Sequence, residues 1–206
     1  MRIYGRANSI NVRKVLWMCE EVGQSYERED WGRGYRDTGE PEFRRLSAFG
    51  VVPVVDDDGF ILRESNTIVR YLASKFARHE LYPTAIRDRA RCEQWMDWAA
   101  TDAYQGIRPV FLGLQVKMAP YKDDASGIKA GIAEWTRQMQ RLEAHLAASP
   151  FVAGASFTVG DVPVGLIVNR WFGIPFEKPD LPALAAYYDR LAERPAYRTH
   201  GRNGTP

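Results

Sequence analysis

The spacing of apolar residues changes once along this chain, near residue 80, and no other feature constrains the fold as much. Up to residue 79 strand-like and helix-like stretches alternate; beyond it nearly every apolar residue falls at helical spacing. Two domains are expected: an α/β domain over residues 1–79 and an all-α domain over 88–206. Residues 80–87, Glu-Leu-Tyr-Pro-Thr-Ala-Ile-Arg, interrupt the pattern with a proline and read as the linker. A chain of 206 residues can bury two cores with no disulfide or metal staple.

Within the first domain, Arg2 to Gly5 reads as a strand. Val12, Val15, Leu16, Cys19 and Val22 then share one helical face, and Gly23 is placed to stop that helix. Ser25 to Trp31 supplies a second strand, which a right-handed crossover sets parallel to the first. The polar loop from Gly32 to Glu40 carries neither period. Val52 to Val55 and Phe60 to Leu62 flank Asp56-Asp57-Asp58-Gly59, a hairpin signal because both residues of Asp-Gly tolerate positive φ. A helix from about Ser65 to Phe76 completes the order βαβ-α-ββα, which matches a thioredoxin-like module.

The second domain reads as a helical bundle. Asp88 to about Met118 carries an apolar stripe with Trp95, Trp98, Tyr104 and Phe111, which Pro109 should kink or break. Residues from Gly127 to Ala148 place Ile132, Trp135, Met139, Leu142 and Leu146 on one face of another helix. Phe157-Thr158-Val159-Gly160-Asp161 reads as a helix start: Thr158 accepts from the first turn while Asp161 reaches back, an Asp version of the capping box. A last helix runs from Leu181-Pro182 through Tyr187, Tyr188 and Leu191, and Arg194-Pro195 ends it.

Composition removes several classes of function. Lys plus Arg number 28 against 26 for Asp plus Glu, so the formal charge of +2 gives no reason to expect a nucleic-acid partner. Cys19 and Cys92 lie far apart in helical stretches, which suits free buried thiols in a reducing compartment. No CxxC, zinc-spaced Cys/His cluster or HExxH is present, so no metal is expected. The N-terminus has no signal-peptide form and no apolar run reaches the roughly 18 residues of a membrane span, so a cytoplasmic protein is expected.

Three short segments carry candidate chemistry. Pro53 cannot donate to a sheet ladder, so it lies at a strand start or an edge. If the Val52-Pro53 bond is cis, Val52 turns its backbone N–H and C=O outward, where an extended peptide can pair by strand addition; an ordinary trans proline opening an edge strand is the alternative. Ser65 stands at the expected N-cap of its helix, where a carboxylate is attracted, and Glu64 suits an ammonium, so the pair fits an amino-acid head group. Plain helix capping explains Ser65 alone as well. Gly5-Arg6-Ala7-Asn8-Ser9-Ile10-Asn11 joins the first strand to the first helix and sets the Ser9 hydroxyl and Asn11 amide near a positive helix end.

That turn can stabilise a thiolate. A thiol titrates near ~8.5, and each unit of lowering needs about 1.4 kcal/mol of preference for the anion. One charge-assisted hydrogen bond of about 1.5–3 kcal/mol plus a helix terminus of roughly 0.3–1 kcal/mol makes thiolate abundant at neutral pH. Ser9 acts there as a donor; His79, His145 and His200 are scattered, which argues against a Ser-His hydrolase.

Taken together, Gly5-Arg6-Ala7-Asn8-Ser9-Ile10-Asn11-Val12-Arg13-Lys14-Val15-Leu16-Trp17, the Val52-Pro53 step and Glu64-Ser65-Asn66-Thr67-Ile68-Val69-Arg70-Tyr71-Leu72 resemble the soluble glutathione transferases, in particular bacterial members related to the theta-like branch. Phe157 to Asp161 and Arg194-Pro195-Ala196-Tyr197 extend the resemblance over nearly the whole chain. It implies Ser9 as donor to the sulfur with Asn11 as its rival, Val52 and Pro53 at the cysteinyl unit, and Glu64 with Ser65 on the γ-glutamyl group. It also implies glutathione as co-substrate and a small electrophile between the domains near Trp98, Tyr104, Arg108, Phe111 and Trp171. A homodimer joined through the helices beginning at Ser65 and near Asp88 follows from the same resemblance, with Asp102 reaching the partner's ligand.

The implied reaction is conjugation of the glutathione thiolate. A glutathione-dependent reductase, peroxidase or isomerase and a non-catalytic binding module are the alternatives. Two positions depart from the family pattern: Ser47-Ala48-Phe49-Gly50 stands where relatives often read Asn-Pro-x-Gly, and Arg63 replaces a common apolar or aromatic residue.

Overall fold

A computed structural model describes all residues, 1–206. The chain divides into two compact units, Met1–Pro83 with Pro195–Asn203, and Thr84–Arg194 with Gly204–Pro206.

The first unit is a thioredoxin-like α/β fold. Its strands are β1 (Arg2–Tyr4), β2 (Glu27–Glu29), β3 (Val54–Asp57) and β4 (Phe60–Arg63), and its helices are α1 (Ile10–Val22), α2 (Pro41–Leu46) and α3 (Ser65–Lys75). The sheet order is β2-β1-β3-β4, with β1 and β2 parallel and the other pairs antiparallel. Helix α1 buries Val12, Val15, Leu16, Cys19 and Val22, as its periodicity requires, and α3 buries Ile68, Val69 and Leu72. Each such aliphatic side chain contributes about 1.5–3 kcal/mol when withdrawn from water. Gly23 ends α1 in the left-handed conformation, with the Gln24 N–H on the Cys19 carbonyl. The hairpin turns at Asp58 and Gly59, both with positive φ.

Register puts the loops of interest together. Tyr4 is paired with Glu29 on one side and Val54 on the other, and Val54 with Arg63. These four residues form one row across one end of the sheet. The chain therefore leaves or enters the same end at Gly5, Asp30, Pro53 and Glu64.

The last short helix differs from the expected domain split. The preceding helix ends at Leu191, before the expected Arg194-Pro195 stop, and Pro195 instead begins this one; residues Pro195–Asn203 pack with the first unit. The cause is Arg13, which is 1% exposed; its guanidinium donates to the carbonyls of His200 and Gly201, which the helix end leaves open. Trp17 packs against Tyr197 with ring centroids 4.7 Å apart.

The second unit contains α4 (Ile86–Ala100), α5 (Asp102–Val110), α6 (Ala125–Leu146), α7 (Asp161–Gly173) and α8 (Pro182–Leu191); the short helix Pro195–His200 of the first unit is α9. The break expected at Pro109 lies instead at Thr101, whose φ of −112° and ψ of −87° leave the helical region. Pro109 stays inside α5, and its missing N–H is followed by a π-helical turn, Phe111–Gln115, in which the Val116 N–H reaches the Phe111 carbonyl. The Thr158–Asp161 cap forms as the sequence implies. Asp161 accepts from the Thr158 N–H at 2.8 Å, and the Thr158 hydroxyl accepts from the Gly160 N–H at 3.3 Å. Asp161 is fully buried and also accepts from the Val152 N–H and the Tyr187 hydroxyl, each at 3.0 Å. No helix is long and apolar enough to cross a membrane.

Candidate functional site

The site is built on the shared end of the sheet. Gly5 leaves β1 with φ of +153°, and a Cβ there would stand 2.5 Å from Val12 and 3.1 Å from the Cβ of Val52. Glycine thus lets the turn before α1 lie directly against the Val-Pro step. Ser9 is the N-cap of α1 by backbone conformation, and its carbonyl accepts from the Arg13 N–H at 2.9 Å. Its hydroxyl makes no capping bond, although the residue is only 7% exposed. A cap would use the hydroxyl oxygen as acceptor, so the hydroxyl proton can be donated at this positive helix end whether or not the residue caps.

The Val52–Pro53 peptide is cis, and β3 begins only at Val54. Pro53 therefore stands before the ladder and costs no sheet hydrogen bond. The N–H and C=O of Val52 take no part in the backbone pairing of the sheet or its loops.

Glu64 and Ser65 hold different helix positions from those expected. Glu64 is the N-cap of α3, with φ of 69°, and Ser65 is the first helical residue. The turn out of β4 is made at Glu64 itself, which draws Ser65 into the helix. Neither the Glu64 side chain nor another caps α3. The Ser65 hydroxyl instead lies 3.4 Å from the Asn11 amide oxygen and 3.4 Å from the Lys14 ammonium. The starts of α1 and α3 thereby meet, with a lysine 7% exposed at their junction. Helical spacing alone does not place the Lys14 charge beside a residue 51 positions away. Its place one turn after Asn11, on a helix otherwise buried at Val12 and Val15, was the available signal.

Arg63, one departure from the family pattern, meets the loop that carries the other. The Arg63 guanidinium lies 3.7 Å over the ring of Phe49 and donates to Glu64 at 2.9 Å. An arginine before the Glu-Ser pair and an aromatic residue before Gly50 are thus two halves of one contact, which ends on the Glu64 carboxylate.

In the second unit, Trp98 donates to Gln138 at 3.1 Å and packs edge-on to Trp95. Tyr104 is 45% exposed, and the Arg108 guanidinium lies 5.6 Å from the Tyr121 ring. Phe111 is covered by the Arg170 guanidinium at 3.7 Å. Trp171, expected in the second-substrate pocket, is instead core: it is 1% exposed and packs edge-on to Trp135 and Phe176. Aromatic residues at helical spacing serve burial first, and Trp171 lies on a helix buried on every side. Cys19 and Cys92 are both buried, and burial pushes the Cys19 thiol up to about 12 and raises that of Cys92, which disfavours the reactive thiolate at both. No group of three or more His, Cys, Asp or Glu side chains is placed to hold a metal ion.

A thioredoxin-like sheet that presents an unpaired Val-Pro edge, an uncapped serine at a helix start and a Glu-Ser pair at one end defines a class of small-peptide-binding folds. Comparison with known proteins gives the family. Residues 3–80 match the family model described as glutathione S-transferase, N-terminal domain. The chain is 35% identical over 198 residues to glutathione S-transferase GstB of Escherichia coli K12, with 95% of each protein covered. It superposes with a TM-score of 0.91, at 40% identity and over 97% and 95% of the two chains, on the theta class glutathione S-transferase of the citrus canker pathogen Xanthomonas axonopodis pv. citri with glutathione bound. Elongation factor 1-gamma 2 of Oryza sativa matches more distantly, at 28% identity over 77% of this chain and 38% of its own length. This chain belongs to the glutathione S-transferase family.

Proposed function

We propose that this protein conjugates the thiolate of glutathione to a small, mostly apolar electrophile. The observation that carries the reading is the Ser9 hydroxyl, which stands at the start of α1 while Gly5, the residue after β1, holds the same loop against the open backbone of Val52. In this reading Val52 pairs with the cysteinyl unit by its N–H and C=O, and Ser9 donates to the sulfur. Asn11, tied to Ser65, is the second candidate for the sulfur. Ser65 and Glu64 take the γ-glutamyl carboxylate and ammonium, with the Lys14 charge behind Ser65. The thiol proton goes to solvent, the sulfur lone pair forms the S–C bond, and the leaving group departs with its electron pair, or an activated double bond accepts them.

Trp98, Tyr104, Arg108 and Phe111 remain the candidates for the electrophile's pocket. The working unit is read as a cytoplasmic homodimer, joined through α3 and α4.

The test is the pH dependence of thiolate absorbance in the complex with glutathione, together with turnover of a neutral aryl halide. Ser9→Ala is expected to raise the pH at which bound thiolate appears and to lower turnover without abolishing binding. Unchanged turnover in the Ser9→Ala, Asn11→Ala double variant sinks the thiolate role. Retention on immobilised glutathione with no turnover in the wild-type chain would mark a binding module instead.

A further inference from the structure

Beside one of the residues read as lining the electrophile's pocket stands a charge to which the reading above gives no work. Arg170, on α7, is 4% exposed, and its guanidinium lies 3.7 Å from the centre of the Phe111 ring. Phe111 opens the π-helical turn that follows Pro109, and the Val116 N–H closes that turn on the Phe111 carbonyl at 3.0 Å. Gly113 presses the same turn onto α6: a Cβ there would stand 2.6 Å from Cδ1 of Ile128. The ring is therefore carried by a closely packed, irregular piece of helix, the kind of local departure that recurs at functional sites. Phe111 remains partly exposed. With the guanidinium on one face, what the ring leaves open is its other face and its edge.

Burial sets this cation apart from those stacked on rings in the first unit. Arg36 over Trp31 and Arg63 over Phe49 have side chains 44% and 42% exposed, where water weakens the contact. Arg170 is withdrawn from water, so its charge acts through the ring with less screening. A phenyl ring alone presents a negative face and repels an anionic ring stacked on it. A guanidinium on the far face attracts that anion through the ring and offsets the repulsion.

We propose that Arg170, acting through Phe111, is a positioning residue that selects electrophiles whose charge spreads over a flat ring in the transition state. The inference rests on the conjugation reading and on Phe111 as part of the electrophile's pocket. With an activated aryl halide, the thiolate lone pair forms the S–C bond while a ring π pair moves onto the ring's electron-withdrawing substituents. The flat anionic adduct then returns that pair to the ring and expels halide with the electrons of the C–halogen bond. Stacked about 3.5 Å above the open face of Phe111, the adduct lies about 7 Å from the guanidinium, with only the phenyl ring between them. With an alkyl halide the charge stays on the line of sulfur, carbon and halogen and departs with the halide, so it never spreads over a ring. A fixed charge aimed at one pattern of developing charge favours that pattern over the other.

The experiment uses the full chain, as wild type, Arg170→Met, Arg170→Lys, Phe111→Leu and the Phe111→Leu, Arg170→Met double variant. Turnover of a dinitro-substituted aryl chloride is compared with that of iodomethane, and glutathione affinity and urea midpoints are measured beside them. A unit charge about 7 Å away at an effective dielectric of about 20 changes a rate by about one to two powers of ten, and spreading of the developing charge lowers this. Arg170→Met is therefore expected to lower kcat roughly tenfold for the aryl chloride and less than about threefold for iodomethane, with glutathione affinity unchanged. Arg170→Lys keeps the charge and should recover most of the aryl rate. Phe111→Leu should lower the aryl-to-alkyl ratio as well, and Arg170→Met should lower it no further in that background. A purely structural role moves both electrophiles together. Equal losses for the two halides, an unchanged ratio in Phe111→Leu, or no change in Arg170→Met overturns the proposal and leaves the conjugation reading standing. Phe111 is partly exposed, so Phe111→Leu keeps the test open if Arg170→Met misfolds. A wild-type chain that binds glutathione and turns over neither halide overturns both readings, a pattern distinct from the others.

Discussion

Two kinds of helix start occur in this molecule, and their sequences look alike. At α7, Thr158 and Asp161 use every polar atom: two backbone N–H groups and two hydroxyls converge on one buried carboxylate. At α1 and α3, Ser9 and Glu64 occupy the N-cap with no side-chain capping bond. A cap residue stabilises a helix by about 1 kcal/mol, and Ser9, whose type suits that role, does not supply it here. The satisfied start builds the fold, and the starts of α1 and α3 carry residues of the proposed site.

The strongest test of the first half is Asp161→Ala. It leaves the Val152 and Thr158 N–H groups and the Tyr187 hydroxyl buried without an acceptor, at about 1–3 kcal/mol each before relaxation. We expect a loss of about 3–5 kcal/mol in urea unfolding, with turnover per folded molecule unchanged in the cold. A loss under about 1 kcal/mol would break the distinction between the two kinds of start.

The same residue predicts a pH dependence. Burial raises the Asp161 carboxyl from 3.8 to about 6, although four hydrogen bonds to it oppose the rise. A raised carboxyl binds its proton more tightly in the folded chain, so this contribution is present below pH 4 and is lost as pH climbs through 6. Its size is on the order of 3 kcal/mol. The stability of wild type minus that of Asp161→Asn should therefore shrink between pH 4 and pH 7. A difference that is flat over that window would show the anion to be fully compensated by its donors.

For the second half, Ser9→Ala should behave in the opposite way to Asp161→Ala. Stability is expected to change within about 0.5 kcal/mol, because no cap bond is lost. The kcat/KM for glutathione conjugation is expected to fall roughly 10- to 150-fold, the equivalent of one hydrogen bond of about 1.5–3 kcal/mol to a thiolate. Thr158→Ala, at the satisfied start, should reverse the pattern with about 1 kcal/mol of stability lost and no kinetic effect.

Local rules made much of this legible. The buried face of α1, its stop at Gly23, the Asp58-Gly59 turn and the Thr158–Asp161 cap all follow from residues within a few positions of one another. What escaped depends on partners far along the chain. Arg13 is held by carbonyls 187 and 188 residues away, and Lys14 lies beside a serine 51 away. Pro109 misled for a related reason: a π-helical turn absorbed the missing N–H, and the break fell at Thr101, which no periodicity flags. In the proposed site, only joint spacing links Ser9, Val52 and Glu64 in the sequence; strand register is what brings their loops to one end of the sheet.

Lys14→Met tests whether the junction of α1 and α3 acts on the ligand or only on the fold. Methionine keeps most of the buried stem and removes the charge beside the Ser65 hydroxyl. Glutathione is expected to bind roughly fivefold more weakly, the equivalent of about 1 kcal/mol, with kcat nearly unchanged since the charge faces the γ-glutamyl end. A fall in kcat with unchanged affinity would move Lys14 to the sulfur and away from Ser65.

The smallest effect is expected at Arg63, where the structure explains a residue that sequence comparison left as an oddity. Its side chain is 42% exposed and that of Glu64 is 65% exposed, so their ion pair contributes only about 0.2–1 kcal/mol. The Phe49 ring under the guanidinium adds about 0.5–1 kcal/mol and fixes the direction from which Arg63 reaches Glu64. Arg63→Leu should weaken glutathione less than about fourfold, because Glu64 keeps its backbone place at the start of α3. The informative quantity is the coupling. If Phe49 acts through Arg63, the loss in glutathione affinity caused by Phe49→Ala should largely vanish when Arg63 is already leucine, a coupling of about 0.5–1 kcal/mol in a double-mutant cycle. Additive losses would separate Phe49 from Arg63, leaving Phe49 as an exposed loop residue and Glu64 as an uncapped helix start that holds its own orientation.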